Sequence, residues 1–238
     1  MIYLRSAAFF LLGVVNTIFF GIFVLPLSFI YFPAGYESAR WWGVVTLWLA
    51  THVCGIRYRV FGEEHIPAHP CVAMAKHQSA WETVFILTRI PRAVWIIKRE
   101  LQWLPIIGWV LYALKSIAID RKSGKRAVEQ IEEQGRDRIA QGLWVSIFPE
   151  GTRVAPGKRG RYGIGGAWLA AKTGTPILPI AHNAGECWRR NAFLKYPGQV
   201  TVSIGPLIQT AGREPSAVIA DVENWIESEM SRLPPACG

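Results

Sequence analysis

The sequence has few cysteines, and their spacing does not indicate a metal site. Cys54, Cys71, Cys187 and Cys237 form no C-x-x-C pair, so we interpret them as reduced thiols of a protein that faces the cytosol. The chain also lacks a Walker-type phosphate loop, and its glycines between 160 and 166 make no dinucleotide fingerprint after a strand. The sequence therefore predicts neither a metal nor a nucleotide cofactor.

Charged residues are absent from most of the N-terminal region. None occurs from Ser6 to Tyr36, and this stretch exceeds both the about 20 residues of a spanning helix and the about 7–15 apolar residues of a cleaved signal peptide. A second, aromatic-rich apolar run covers residues 41–56. Two topologies fit: one helix that spans the bilayer, or a hairpin in one leaflet that is broken near residues 33–35. We predict membrane-associated helices over 1–56 and a second domain over 57–238.

Charge and aromatic content both favour an anionic, membrane-bound partner. The 26 basic and 17 acidic residues give a net charge of +9, which suits a membrane surface, a phosphorylated substrate, an acidic carrier protein or nucleic acid. The 11 tryptophans are typical of membrane interfaces, where the indole ring is apolar and its N–H reaches water. The basic runs 121–126 and 158–161 belong to no recognisable nucleic-acid module, so no nucleic-acid partner is predicted.

After residue 56, short β-rich runs alternate with helical patterns. Strands are predicted at 57–61, 71–75, 93–97, 116–120, 143–148, 177–181 and 199–205, and helices at 80–90, 106–114, 124–141, 162–173 and 215–233. This alternation predicts an α/β fold with a mixed, largely parallel central sheet flanked by helices, in which chemistry collects at the strand ends. In the last helix three glutamates are predicted to turn away from the apolar face: Glu223, Glu227 and Glu229.

Residues 76–83, KHQSAWET, follow an apolar strand pattern and combine a histidine with a carboxylate. Ser79 and Glu82 have the spacing of a helix capping box, which is the ordinary interpretation. With Ser79 as the N-cap, His77 lies in the preceding loop and Glu82 in the first turn, where the two side chains can meet. Such a carboxylate fixes the tautomer of a histidine base and stabilises its imidazolium. No third residue is spaced to complete a metal site, and Ser79 leaves a serine nucleophile as an alternative.

Residues 148–153, FPEGTR, come at the end of a predicted strand. Proline stops the strand and Gly151 lets the backbone approach a ligand closely. Thr152 offers a hydroxyl, and Arg153 offers a planar fork that suits a phosphate monoester. Glu150 would orient that arginine or a substrate hydroxyl. The alternative is a tight turn with a surface ion pair.

Two further stretches carry weaker signals. Residues 98–109 place basic side chains beside a short aromatic segment and lead to 119–121. Such a segment suits the headgroup layer, the wall of a lipid groove, or an ordinary buried helix. Residues 177–183 read as a strand that ends in polar groups, which could line the same rim.

These four stretches, in this order, resemble the lysophosphatidic acid acyltransferase family of the bacterial membrane-bound kind. The resemblance covers about 57–205 and implies that His77 is the base that deprotonates the acceptor hydroxyl. Glu82 stands where the family more often has aspartate, so the helix start is expected to differ slightly. The other site residues implied are Glu150, Gly151, Thr152 and Arg153 for the acceptor, Lys98 and Arg121 for its phosphate, and Pro179 on the acyl-donor side.

The resemblance also implies a reaction and a location. A fatty acyl group moves from acyl-CoA or acyl-carrier protein to the sn-2 hydroxyl of 1-acyl-glycerol-3-phosphate and gives phosphatidate, with no metal or cofactor. The expected location is the bacterial inner membrane, with the site on the cytosolic face. The alternatives are a related acyltransferase acting on glycerol-3-phosphate or another lysolipid, and a non-catalytic lipid-binding protein of the same fold.

Overall fold

Two long helices, α1 (Ile2–Ile30) and α2 (Phe32–His52), form the N-terminal region. Tyr31 separates them with an extended backbone, and Asn16 of α1 donates to the Trp42 carbonyl of α2 at 3.1 Å. The helices therefore fold back on one another. The break predicted near 33–35 lies instead at Tyr31, because Pro33 occupies the first turn of α2, where a missing N–H costs no hydrogen bond.

The structure is a computed structural model that describes residues 1–104 and 106–237. Pro105, which belongs to the basic and aromatic stretch 98–109, and the C-terminal Gly238 lie outside the described residues. Within the described residues, α1 is the one helix long and apolar enough to cross a membrane, and most of its surface is exposed.

Seven strands and six further helices follow. The strands are β1 (Ile56–Phe61), β2 (Val72–Ala75), β3 (Ala93–Lys98), β4 (Ile117–Ile119), β5 (Trp144–Ile147), β6 (Ile177–His182) and β7 (Gly198–Ile204). The helices are α3 (Trp81–Arg89), α4 (Ile107–Ala113), α5 (Lys125–Ala140), α6 (Gly165–Thr173), α7 (Ala184–Cys187) and α8 (Pro215–Arg232), and two 3₁₀ turns cover Glu63–His65 and Arg99–Trp103. Every predicted strand and helix is present within a few residues of its predicted ends. The elements that were not predicted among the described residues are the one-turn helix α7 and the two 3₁₀ turns.

The strands form one sheet in the order β1-β7-β6-β2-β5-β3-β4. All neighbours are parallel except β6 and β7, which are antiparallel. The prediction of a mixed, largely parallel sheet flanked by helices is therefore confirmed. One buried apolar cluster joins the sheet to α2 and α3, and a second joins its other face to α5, α6 and α8.

Helix α2 packs closely on α3. Gly43 makes this possible, because a Cβ at that position would lie 2.9 Å from a methyl carbon of Thr88. Tyr36 reaches the sheet and donates to the Ala93 carbonyl at 3.3 Å. The N-terminal helices are thus anchored to the α/β part of the chain through α2, while α1 presents its apolar surface outward.

Candidate active site

Three neighbouring parallel strands end side by side and lead into the site. Met74 of β2 lies opposite Ile147 of β5 and opposite Pro179 of β6. Because these strands are parallel, the residues three positions further along each of them lie at or just beyond the carboxyl edge of the sheet, where the sites of such sheets lie. Those residues are His77, Glu150 and His182.

His77 and Glu82 meet as predicted. The Nδ1 atom of His77 lies 2.8 Å from Oε1 of Glu82, and the side chains are 15% and 1% exposed. The imidazole stacks on the Phe148 ring with 3.9 Å between centroids and 9° between planes. With Nδ1 engaged by a carboxylate, Nε2 is the nitrogen that carries the free lone pair.

The start of α3 differs by one residue from the predicted cap. The helix begins at Trp81 with Ala80 as its N-cap, so Ser79 is not the N-cap. The Ser79 hydroxyl instead accepts the Trp81 N–H at 2.8 Å, and the Glu82 carboxylate accepts the N–H groups of Gln78 and Ser79 at 2.9 and 2.8 Å. The Glu82 carboxylate binds His77 and the N–H groups of the preceding loop, and the helix begins after this loop, at Trp81.

Charge at the pair is governed by burial and by a second histidine. Burial by itself raises the pKa of the Glu82 carboxyl, but nearby His182, the hydrogen bond from His77 and the Ser79 N–H outweigh it, so that pKa lies below its ordinary value. Burial lowers the pKa of His182, although Glu82 opposes that change. At neutral pH Glu82 is therefore ionised and His182 is neutral.

His182 has a fixed tautomer. Its Nδ1 accepts the Ala184 N–H at 3.2 Å, so Nε2 carries the hydrogen and donates to the Lys76 carbonyl at 2.7 Å. The same Nε2 lies 3.9 Å from Oε2 of Glu82. His182 thus holds the loop immediately before His77.

Glu150 was predicted to bind the acceptor, but its side chain is buried inside the protein. Its side chain is 0% exposed, and Oε1 lies 2.7 Å from the Lys76 ammonium. Its Oε2 accepts the His77 N–H at 2.7 Å. Both carboxylate oxygens are thus occupied by groups of the protein, because the neighbouring ends of β2 and β5 bring Glu150 next to the backbone of His77. This geometry does not support acceptor binding by Glu150.

The rest of the FPEGTR turn is at least partly exposed, and two arginines donate hydrogen bonds to its backbone carbonyls. Gly151 has φ +65°, a left-handed conformation that favours glycine, and Thr152 is exposed. Arg121 donates to the Gly151 carbonyl, and Arg190 donates to the Arg153 carbonyl at 2.9 Å. The half-buried Arg153 guanidinium makes no hydrogen bond within the described chain, so it is available to a ligand.

The two remaining predicted residues, Lys98 and Pro179, lie on different strands and in different surroundings. Lys98 is exposed at the carboxyl end of β3, a strand that neighbours β5 and therefore the turn. Pro179 is buried inside β6, and its carbonyl accepts the Gly205 N–H at 2.9 Å. Pairing with β7 begins only at Ile180, which suits a residue that has no N–H. The structure therefore places Pro179 in the sheet rather than on a ligand face.

Three polar residues of the site were not predicted: Lys76, Tyr162 and Glu227. His182 lies in the stretch 177–183, whose polar end was expected to line the same rim. Lys76 is buried, and its ammonium lies 2.7 Å from Oε1 of Glu227 on α8. The expectation that Glu227 turns away is thus wrong, because a buried cation at the strand end draws it inward. An apolar strand that runs directly into a lysine was the one signal in the sequence. Among the described residues, no three His, Cys, Asp or Glu side chains are grouped to hold a metal ion.

The chain is similar to known proteins over most of its length. The family model described as Acyltransferase matches residues 57–183. A 1-acyl-sn-glycerol-3-phosphate acyltransferase of Pseudomonas aeruginosa is 40% identical over 98% of this chain and 92% of its own. The chain belongs to the 1-acyl-sn-glycerol-3-phosphate acyltransferase family. The resemblance inferred from the motifs is confirmed, and the chain is an acyltransferase.

More distant relatives resemble this acyltransferase in sequence and in fold. The human 1-acyl-sn-glycerol-3-phosphate acyltransferase alpha is 32% identical over 71% of this chain, and the match spans 61% of the human protein. The crystal structure of the 1-acyl-sn-glycerophosphate (LPA) acyltransferase PlsC from Thermotoga maritima superposes with a TM-score of 0.80 at 23% identity, covering 96% of this chain and 94% of the other. That likeness shows that the fold of the acyltransferase, including its N-terminal helices, recurs in PlsC.

Proposed function

We propose that this acyltransferase moves a fatty acyl group from the thioester of acyl-CoA or acyl-carrier protein to the sn-2 hydroxyl of 1-acyl-sn-glycerol-3-phosphate. The product is phosphatidate. The observation that carries the proposal is the His77–Glu82 pair, held 2.8 Å apart beside a turn that leaves Arg153 free, in a chain 40% identical to a protein named for this reaction.

The proton moves through His77. Nε2 of His77 takes the proton of the sn-2 hydroxyl while that oxygen attacks the thioester carbonyl carbon. The new C–O bond forms, the C–S bond breaks when the tetrahedral intermediate collapses, and the imidazolium returns the proton to the departing thiolate. Buried, ionised Glu82 stabilises the imidazolium in between. Atoms and charge balance without a covalent enzyme intermediate.

The acceptor's phosphate is bound by the arginine-bearing turn. Arg153 offers a planar pair of N–H donors that matches phosphate geometry. Lys98 and Arg121 add positive charge, and Thr152 adds an exposed hydroxyl on the same turn. Because His77 and this turn leave adjacent strands, a phosphate on Arg153 would leave the glycerol hydroxyl within reach of the base.

The substrate is a lipid, so we place the acyltransferase at a membrane, with helices over 1–56 as the anchor and 57–238 as the acyltransferase domain. Exposed aromatic side chains of the Arg99–Trp103 turn and α4 support this, since Trp103 is 81% and Trp109 is 58% exposed. These side chains and Leu25 and Phe29 of α1 line one 410 Å³ groove. The apolar surface thus continues from α1 toward the site, which we place on the cytosolic face of the bacterial inner membrane, the side where the acyl thioester is expected.

One assay tests the reaction. Purified protein in mixed micelles receives labelled acyl-CoA or acyl-carrier protein with lysophosphatidate, glycerol-3-phosphate or lysophosphatidylcholine, and labelled product is measured. We expect phosphatidate from lysophosphatidate alone, and a loss of about 10²-fold or more in His77→Ala. Equal turnover of lysophosphatidylcholine, whose phosphate is a diester, would refute recognition of the phosphate monoester. Full activity of His77→Ala would refute its role as the base.

A further inference from the structure

A buried lysine joins the loop of the base, the FPEGTR turn and helix α8. Lys76 directly precedes His77, and its side chain is 1% exposed. Its ammonium lies 2.7 Å from Oε1 of Glu150 and 2.7 Å from Oε1 of Glu227, and it donates to the Lys158 carbonyl at 3.3 Å. The ammonium thus donates hydrogen bonds to Glu227 and to the Lys158 carbonyl, and it forms an ion pair with Oε1 of Glu150.

Glu150 bridges Lys76 and the backbone of His77. While Oε1 faces Lys76, Oε2 accepts the His77 N–H at 2.7 Å. The His77 carbonyl in turn accepts the Val154 N–H at 2.8 Å. Both backbone groups of His77 are thus bound to the segment that carries Arg153, and one of these bonds depends on a carboxylate held by Lys76.

Helix α8 completes the network through Glu227. The Tyr162 hydroxyl donates to Oε1 of Glu227 at 2.9 Å. Burial, and then the charge of Glu227, raises the pKa of Tyr162 far above its ordinary value, so the hydroxyl stays a donor. One ammonium contacts two carboxylates here, and removing it would leave buried negative charge without a counter-charge.

We propose that Lys76 is a positioning residue for acyl transfer. Together with Glu150 and Glu227 it holds the backbone of His77 at a set distance from the turn that binds the acceptor phosphate. A misplacement of about 1 Å in such an arrangement can cost about 10²-fold in rate. This inference rests on the proposed role of His77 as the base.

The first test is Lys76→Met in the full-length protein, assayed in the same micelles. We expect kcat per folded molecule to fall about tenfold or more, while KM for lysophosphatidate and for the thioester stays within about twofold. The reason is that the base is displaced while the side chains that bind the phosphate remain. A role in stability alone would lower the folded fraction and leave kcat per folded molecule unchanged, which would overturn the proposal.

Rescue by a second substitution sharpens this test. Lys76→Met leaves the carboxylates of Glu150 and Glu227 without their cation. The double variant Lys76→Met/Glu150→Gln removes the charge of the more deeply buried one, Glu150, and keeps an amide oxygen for the His77 N–H. We expect it to recover several-fold of the lost kcat. A double variant no more active than Lys76→Met alone would mean that Lys76 does not act through Glu150.

If Lys76→Met does not fold, Glu227→Ala replaces it, with Glu229→Ala as the matched control. Glu229 lies on the same helix, and its carboxylate accepts the Ser203 hydroxyl at 3.0 Å, away from His77. We expect only Glu227→Ala to lower kcat and to speed hydrogen exchange of a peptide over 76–80. Equal behaviour of the two variants would overturn the positioning role. That failure is distinct from failure of the proposed function, which an active His77→Ala would show.

Discussion

Oε1 of Glu82 lies 2.8 Å from Nδ1 of His77 and 2.8 Å from the backbone N of Ser79. One oxygen thus orients the base and ties down the loop that carries it. The helix that follows this loop begins at Trp81, so Glu82 lies in its first turn. Orientation of the base and capping of the loop are consequently two effects of a single carboxylate.

Replacing the charge of Glu82 while keeping its shape separates these two effects. In Glu82→Gln the amide oxygen can still accept from His77 and Ser79, but the imidazolium loses its counter-charge and an NH₂ group faces the Ser79 N–H. We expect kcat to fall about 10²- to 10⁴-fold, with circular dichroism unchanged and a lowered Tm. Turnover within a few-fold of the parent enzyme would assign Glu82 to the loop alone.

The parts of this site that could be predicted from the sequence are the local ones. His77, Ser79 and Glu82 are within five residues of one another, so spacing alone brings them together. Lys76 and Glu227 are 151 positions apart, and on an amphipathic helix Glu227 looks like any solvent-facing carboxylate. His182 lies 106 positions from Lys76 and is brought to it only by the register of β2 on β6, which no pattern in the sequence reports.

The same limit explains the change of role for Glu150. A carboxylate in a turn between a proline and a glycine looks exposed, and its neighbours Gly151 to Arg153 do face outward. Register of β5 on β2 turns its side chain under His77 instead. Local sequence therefore indicates a turn at the end of β5, but only the pairing of the strands determines which of its side chains points into the protein.

Arg153 is expected to govern binding of the acceptor. Arg153→Ala should raise KM for lysophosphatidate about 10- to 100-fold, equivalent to the about 1.5–3 kcal/mol of a charged hydrogen bond, with a smaller change in kcat. Arg153→Lys should have a KM for lysophosphatidate between those of the parent enzyme and Arg153→Ala, because an ammonium keeps the charge but lacks the planar fork. Arg161→Ala is the control, since Arg161 is exposed in a nearby basic run. A similar KM in both alanine variants would indicate general charge attraction rather than a phosphate site.

His182 should make the stability of the fold depend on pH. Its folded-state pKa lies below its ordinary value, so the unfolded chain binds the proton first, and its stabilising effect is complete above the unfolded pKa of about 6.5. Stability should fall as pH drops below that value, by at most about 1.4 kcal/mol per pH unit for this one proton. Thermal unfolding from pH 7.5 to 5 measures this slope.

A substitution at His182 identifies the source of that slope. His182→Gln can keep a donor to the Lys76 carbonyl but does not titrate, so its Tm should vary less between pH 7 and 5. His65→Gln serves as the control, because His65 is a partly exposed histidine whose Nδ1 donates to the Ile204 carbonyl at 2.8 Å. The same pH slope in His182→Gln and the parent protein would place the titrating group elsewhere.

The aromatic surface of α4 and the preceding turn is expected to dock the site on the membrane. Trp103→Ser/Trp109→Ser removes two exposed rings without touching the base or the arginines. Because burial of a large apolar side chain contributes about 1.5–3 kcal/mol, we expect the mole fraction of lysophosphatidate that gives half-maximal rate in mixed micelles to rise about tenfold or more, with kcat at saturation nearly unchanged. Phe61→Ser is the matched control, since Phe61 is 54% exposed on β1, at the opposite edge of the sheet. An equal shift in Phe61→Ser would mean that general hydrophobicity, rather than this surface, brings the enzyme to its substrate.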